Sequence, residues 1–250
     1  MKKIICIISL STIIYSCGNG QLMVKGDRIN GEFIEYYQNG KIHVKGNYVK
    51  GEQNGEFIEY YQNGKIHVKG NYVKGEQNGE WITYYDNGQI MKKGTYDKSL
   101  ENGEWIYYYE NGQISDKQNY SNGVHYGEQI RYYENGQIMV KGNYVMGVKR
   151  GETIVYYENG RIKEKGNYWA DGKYQEGHRN GEWIEYYANG QIKAKGNYFD
   201  IERQSGDWIT YYENGQIKAK GNYVMGVKRG EWIEYYENGQ IKEQRNYDNY

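Results

Sequence analysis

One stretch rules this chain: GDWITYYENGQIKAKGNY at 206–223, an aromatic run, an Asn-Gly pair and a second alternating run. Its Tyr-Tyr pair returns nine times, at Tyr36-Tyr37, Tyr60-Tyr61, Tyr84-Tyr85, Tyr108-Tyr109, Tyr132-Tyr133, Tyr156-Tyr157, Tyr186-Tyr187, Tyr211-Tyr212 and Tyr235-Tyr236. The spacing is 24 residues, apart from one step of 30 and one of 25. A fixed period of this length requires a repeat architecture, in which each unit buries its surface against its neighbours rather than in one central core.

Each unit reads as a β-hairpin. Asn214 and Gly215 can both take positive φ, as a type I′ turn demands, so the two alternating runs are expected to fold back on each other around them. That turn pairs Glu213 with Gln216, Tyr212 with Ile217, Tyr211 with Lys218, Thr210 with Ala219, Ile209 with Lys220 and Trp208 with Gly221. Trp208, Tyr212, Ile217 and Tyr223 then share one face, with the Trp208 ring over the bare backbone of Gly221. Ile209, Tyr211, Lys218 and Lys220 take the other. Neither face is cleanly apolar, so the expected fold is all-β: an elongated, single-layer, twisted antiparallel meander of about nine stacked hairpins, preceded by a cleaved signal peptide. About eighteen strands follow from nine hairpins.

Composition agrees with a thin sheet. Only 38% of the residues are hydrophobic, mean hydropathy is −1.03, and 32 Tyr stand against 3 Phe. Tyr gives a large contact area whose hydroxyl can stay in water. Proline, which would remove ladder donors, is absent, while 35 glycines serve turns. Basic and acidic residues number 32 each. That balance lacks the basic field of a nucleic-acid binder, so no nucleic-acid partner is expected.

The N-terminus reads as an export signal. Lys2 and Lys3 precede an apolar run at 4–15 that is too short for a stable bilayer span. The following Ile14-Tyr15-Ser16-Cys17 resembles the lipobox of bacterial lipoproteins, although Tyr15 stands where a small residue is usual. The resemblance implies cleavage before Cys17, its lipidation, and a membrane-anchored protein in the bacterial cell envelope, on the periplasmic or surface side. The expected division is a signal peptide at 1–16, the lipidated Cys and a half repeat at 17–30, and nine repeats at 31–250.

Along the array, 31–54 and 55–78 are identical, the mark of a recent duplication. The Trp or Phe position becomes Gln129 and Thr153 in two later units, leaving a gap in the aromatic row. The segment at 169–180 adds six residues between two hairpins and carries Trp169 and Tyr174, the best local binding candidates. The repeated aromatics Trp183, Trp208, Trp232, Tyr187, Tyr212 and Tyr236 complete the candidate binding set. In the last strand, Glu243-Gln244-Arg245 replaces Ala-Lys-Gly, charges that discourage edge pairing.

Catalytic chemistry is not evident. His43 and His67 are copies one hairpin apart, about 10 Å, too far for one metal, so no metal site and no cofactor are expected. The recurring Glu56, Glu80, Glu104, Glu182 and Glu231 form a periodic row, without the unequal carboxylate pair of a glycosidase. The expectation is a non-enzyme.

The unit Gly142-Asn143-Tyr144, Gly147, Gly151, then Tyr156-Tyr157-Glu158-Asn159-Gly160-Arg161-Ile162 resembles the bacterial variant of the MORN repeat, found in YwqK-type proteins often described as antitoxins. The resemblance covers 19–250 and implies a β-hairpin scaffold that binds a protein partner, a toxin among the candidates, with membrane lipid reached through the acyl anchor. Two other readings stand beside it. The WIEYY hairpins look somewhat like choline-binding wall repeats, although the second half of that motif is missing, so glycan or cell-wall binding is one. A spacer without a specific ligand is the other.

Overall fold

The computed structural model describes residues 14–15, 23–169, 177–199 and 202–248. Every regular element among them is a β-strand, and the pairings are antiparallel. The strands fall into two compact units, one built from Met1–Ile114 and Tyr120–Gly123, the other from Ser115–Asn119 and Val124–Tyr250. The leader outside Ile14 and Tyr15, together with Cys17, lies outside the described residues. Ile14–Tyr15 is a two-residue strand against Met23–Lys25.

In the first unit the chain runs from Met23–Lys25 through Gly31–Tyr36, Ile42–Val49, Gly55–Tyr60, Ile66–Val73, Gly79–Tyr84, Ile90–Asp97 and Leu100–Tyr108, each strand paired with the next. The second unit is itself a meander, from Gly127–Tyr132 to Ile241–Asn246. No pairing among the described residues closes either meander, so each is an open sheet. The strands outnumber the expected eighteen because short pieces such as Glu52–Gln53 and Glu76–Gln77 pair separately ahead of a bulge.

The hairpin register holds away from the turn and changes near it. Trp208 pairs with Gly221, Ile209 with Lys220 and Thr210 with Ala219, as expected, but Tyr211 pairs with Ile217. Lys218 is therefore an extra, bulged residue. A one-residue shift moves a side chain to the opposite face, so Ile217 joins Ile209 and Tyr211 rather than Trp208.

The cause is the turn. Gly215 N donates to Tyr212 O at 2.9 Å, Tyr212 N donates to Gln216 O at 2.8 Å, and of the Asn-Gly pair only Gly215 has positive φ, at 84°. Glu213-Asn214-Gly215 is thus a three-residue loop, a type I turn closed by a left-handed glycine, and not a type I′ turn. Asn214 suits it because its Oδ1 accepts the Gln216 N–H at 2.9 Å. The consecutive positive-φ residues of a type I′ turn sit instead at the other end of the repeat. There Lys50 and Gly51 have φ 53° and 86°, and Met225 and Gly226 have 49° and 82°.

Stacking between repeats follows from one contact. A methyl group placed on Gly94 would collide with the indole of Trp105, and Gly70, Gly166, Gly196 and Gly221 stand in the same relation to Trp81, Trp183, Trp208 and Trp232. The Trp ring thus covers the glycine of the preceding hairpin, not the glycine paired with it in its own: Gly221 is covered by Trp232, not Trp208. The wide bulge at the inter-repeat junction makes this possible, because Gly181 and Glu182 are extra against the partner strand and bring Trp183 over Gly166. Each indole N–H then donates backward, Trp105 Nε1 to Thr95 O at 3.3 Å and Trp232 Nε1 to Asn222 O at 3.0 Å.

The indoles interleave with tyrosines at right angles. In the first unit Tyr72, Trp81, Tyr96 and Trp105 alternate at 5.2, 6.0 and 4.9 Å between ring centroids. In the second, Tyr168, Trp183, Tyr198, Trp208, Tyr223 and Trp232 continue the pattern. Edge-to-face contacts of this kind add about 0.5–1.5 kcal/mol each beyond burial.

Polar side chains tie the repeats together in the opposite direction. Tyr37 Oη donates forward to Tyr60 O, Tyr61 to Tyr84 O and Tyr212 to Tyr235 O, so a half-buried hydroxyl finds its acceptor one repeat on. Turn asparagines do likewise, Asn87 Nδ2 to Glu110 O and Asn189 Nδ2 to Glu213 O.

Two outcomes follow from this geometry. Met225→Asn, or Met146→Asn at φ 52°, is expected to raise the unfolding free energy by about 0.5–1 kcal/mol, since Asn tolerates the left-handed region better than Met. An unchanged or lower denaturation midpoint in both would remove turn strain from the account. Gly94→Ala is expected to cost about 1–3 kcal/mol by overpacking against Trp105. Gly46→Ala, whose new methyl would sit 3.7 Å from the Phe57 ring, is expected to be mild. Equal losses at the two sites in the same denaturation assay would contradict the Trp-over-Gly contact as the cause.

Candidate functional site

The aromatic residues singled out in the sequence divide into two groups. Trp183, Trp208 and Trp232 are 2%, 6% and 8% exposed, their ring faces covering glycines, so they join repeats and offer little surface to a ligand. Tyr187 and Tyr212 are half-buried, each hydroxyl donating at 2.7 Å to Tyr211 O and Tyr235 O. Tyr236 and Trp169 are the open members, 51% and 53% exposed. Trp169 pairs with His178 at the base of the insertion, while Tyr174 lies outside the described residues.

Trp169 belongs to a series. The residue that follows the Tyr of each Gly-Asn-Tyr triplet opens the connection to the next hairpin, and it is apolar and exposed at Val49, Val73, Val145, Trp169, Phe199 and Val224. Leu100, Val124, Met146, Met225 and Val227 add to the same connections, at 45% to 83% exposure. The opposite ends of the hairpins carry Asn-Gly turns followed by Gln, Lys or Arg. In the second unit the connections therefore form a row rich in exposed apolar side chains, whereas those of the first unit mix Val49, Val73 and Leu100 with exposed Lys and Glu. The sequence held the signal, one periodic position rich in Val, Trp and Phe, but alternation alone did not reveal that it projects at a turn.

A shallow groove of about 340 Å³ lies on the Trp-bearing face of the second unit. Tyr187, Tyr198, Trp208 and Tyr223 form its walls, with Lys193 and Lys218 beside them. Lys218 is the bulged residue, and its ammonium lies 5.6 Å from the Tyr212 ring centroid.

The gap in the aromatic row is a polar cluster. Gln118 replaces the glycine and Gln129 the tryptophan of one junction, so hole and knob are lost together. Asp116 gathers the surroundings: Gln118 Nε2 and Gln129 Nε2 donate to its Oδ1 at 3.3 and 3.1 Å, and Arg131 Nε to its Oδ2 at 3.1 Å. His125 Nε2 lies 2.8 Å from Gln118 Oε1. At the next junction Gly142 remains, but Thr153 Oγ1 and Lys149 Cε occupy the room an indole would take. Burial, aided by Arg179 and Arg131 and opposed by Glu164, holds the Lys149 amine below the usual lysine range.

In the first unit, Glu59 lies between the duplicated histidines, 3.8 Å from His43 Nε2 and 3.2 Å from His67 Nδ1. Among the described residues no three His, Cys, Asp or Glu side chains come together as a metal site. None of the described residues forms a helix long and apolar enough to cross a membrane.

Comparison with known proteins identifies the repeat. The family described as the MORN repeat variant matches nine times, at 29–50, 53–74, 77–98, 101–122, 126–146, 149–170, 179–200, 204–225 and 228–249. No curated protein matches the chain. Among solved structures, similarity reaches the crystal structure of TcdB2-TccC3-Cdc42, at 11% identity over 94% of this chain and 15% of that one, with a TM-score of 0.23. It also reaches the crystal structure of selenomethionine substituted virginiamycin B lyase from Staphylococcus aureus, at 11% identity over 94% of this chain and 83% of that one, with a TM-score of 0.18. Neither score supports an argument about fold or function. The nine repeat matches span most of the sequence, and the chain belongs to the MORN repeat variant family.

Proposed function

We propose that this chain is a non-enzymatic, membrane-anchored repeat scaffold that binds a protein partner, a toxin being the candidate that the family resemblance supplies. The observation that carries the reading is the apolar edge. Val145, Met146, Trp169, Phe199, Val224 and Met225 are 37% to 83% exposed at successive connections. Exposed apolar surface in register over several repeats is what a protein interface uses, with large aromatics such as Trp169 and Phe199 as anchors. The polar Asn-Gly edge stays free to face water. The lipid on Cys17 would hold this edge at a membrane surface within the cell envelope.

Glycan or wall binding is the alternative, favoured by the groove that Tyr187, Tyr198 and Tyr223 line, whose rings could stack on sugars.

Two experiments test the reading. In the native host, cross-linking and purification should recover one dominant protein, depleted about tenfold or more by Trp169→Ser/Phe199→Ser, as expected for loss of central aromatic anchors. The variant should melt like the wild type, since both side chains are exposed. No specific protein, with retention on purified peptidoglycan instead, would replace this reading by the glycan one. Separately, Cys17→Ser should move the protein from the membrane fraction to the soluble fraction. Continued membrane association of that variant would overturn the lipid anchor.

A further inference from the structure

The interruption at Gln129 and Thr153 gives up the indole packing that five other junctions use, and what fills it is charge. On the Trp-bearing face of the second unit, the register sets Arg131 beside Val140, Tyr144 beside Lys149 and Tyr168 beside Arg179, so three cations and two phenol rings occupy neighbouring strands. Arg131 is held by Asp116 at 3.1 Å. Arg179 is held by Glu164 at 3.4 Å, and its guanidinium lies 4.4 Å from the Trp183 ring centroid. Lys149 differs. Its ammonium lies 4.2 Å from the Tyr168 ring centroid and, among the described residues, forms no ion pair with a carboxylate. Three cations against Asp116 and Glu164 leave one positive charge uncompensated in a half-buried place.

Partial burial without an ion partner is costly for an ammonium, and an incoming anion relieves it with charge-assisted hydrogen bonds. The excess of a single charge suits a carboxylate better than a phosphate dianion. The surrounding Tyr144, Tyr168 and Tyr198 suit the apolar flanks of a peptide. We propose that Lys149 and Arg179, with Arg131 beside them, form a docking subsite for a carboxylate of an acidic segment in the protein partner. The carboxylate would sit between the Lys149 ammonium and the Arg179 guanidinium, with Thr153 in the place of a tryptophan admitting the Lys149 side chain over Gly142. This deepens the partner-binding reading above and rests on it.

The test uses the full chain and a short fluorescent poly-glutamate peptide, followed by anisotropy at low salt. Poly-lysine and inorganic phosphate serve as the other arms. Saturable binding of poly-glutamate is expected, about tenfold weaker in Lys149→Gln, as for loss of one charge-assisted hydrogen bond. Thr153→Trp is the decisive variant. It restores the indole over Gly142, so it should leave the melting temperature equal or higher while weakening poly-glutamate binding to the same degree. Binding unchanged in both variants, no saturable binding of poly-glutamate, or phosphate competing fully at equal concentration would each overturn the subsite. Capture of the native partner by a Lys149→Gln variant at wild-type yield would place the acidic contact elsewhere without touching the partner reading. Absence of any partner would remove the reading on which the subsite rests.

Discussion

The indole laid over a glycine of the preceding hairpin is the contact on which the rest depends. A single hairpin of this composition is marginal in water, because its aliphatic content is low and both faces are wet. Trp105 at 1% exposure and Trp183 at 2% show where burial is nevertheless achieved. Removing such a ring typically costs about 3–5 kcal/mol, a large share of the stability of any small domain. The bare glycine lets the ring reach the backbone, the inter-repeat bulge aims it there, and the indole N–H donates to the carbonyl of the residue that follows the glycine. The crossed tyrosines, the forward hydroxyl bonds and the turn asparagines are built around that seat.

Departures from the repeat become intelligible through the same contact. Gln118 and Gln129 change together because neither a filled hole nor an unseated indole would be stable alone. Thr153 leaves Gly142 in place and admits Lys149. Arg245 stands at a glycine position with Glu243 as its partner, 2.6 Å away, and a side chain of that size leaves no seat for an indole.

Much of the fold was legible because it is written nine times. The period, the hairpin and the pairing of Trp208 with Gly221 all follow from alternation and spacing. The turn type was not, because an Asn-Gly pair serves both a type I′ turn and a type I turn closed by glycine, and only the length of the loop separates them. With it went the bulge at Lys218 and the face of Ile217. The direction of the Trp ring was hidden for a different reason. Pairing names the residue opposite, whereas an indole is long enough to lean onto the adjacent hairpin. At the candidate site, Trp169 was visible as an aromatic in an insertion, but its kinship with Phe199 and Val224 depends on a turn located only in three dimensions. Gln129 and Thr153 were visible as gaps, and nothing in a linear pattern says what side chain moves into a gap.

The handedness of these contacts along the chain has a consequence for biosynthesis. At the five junctions built on an indole, the ring belongs to the later hairpin and its seat to the earlier one. Tyrosine hydroxyls and turn asparagines of the earlier hairpin are likewise extended toward carbonyls yet to arrive. A chain leaving the ribosome from its N-terminus therefore presents each new hairpin with a finished template, and it can assemble row by row as it emerges, in the order of its own translation.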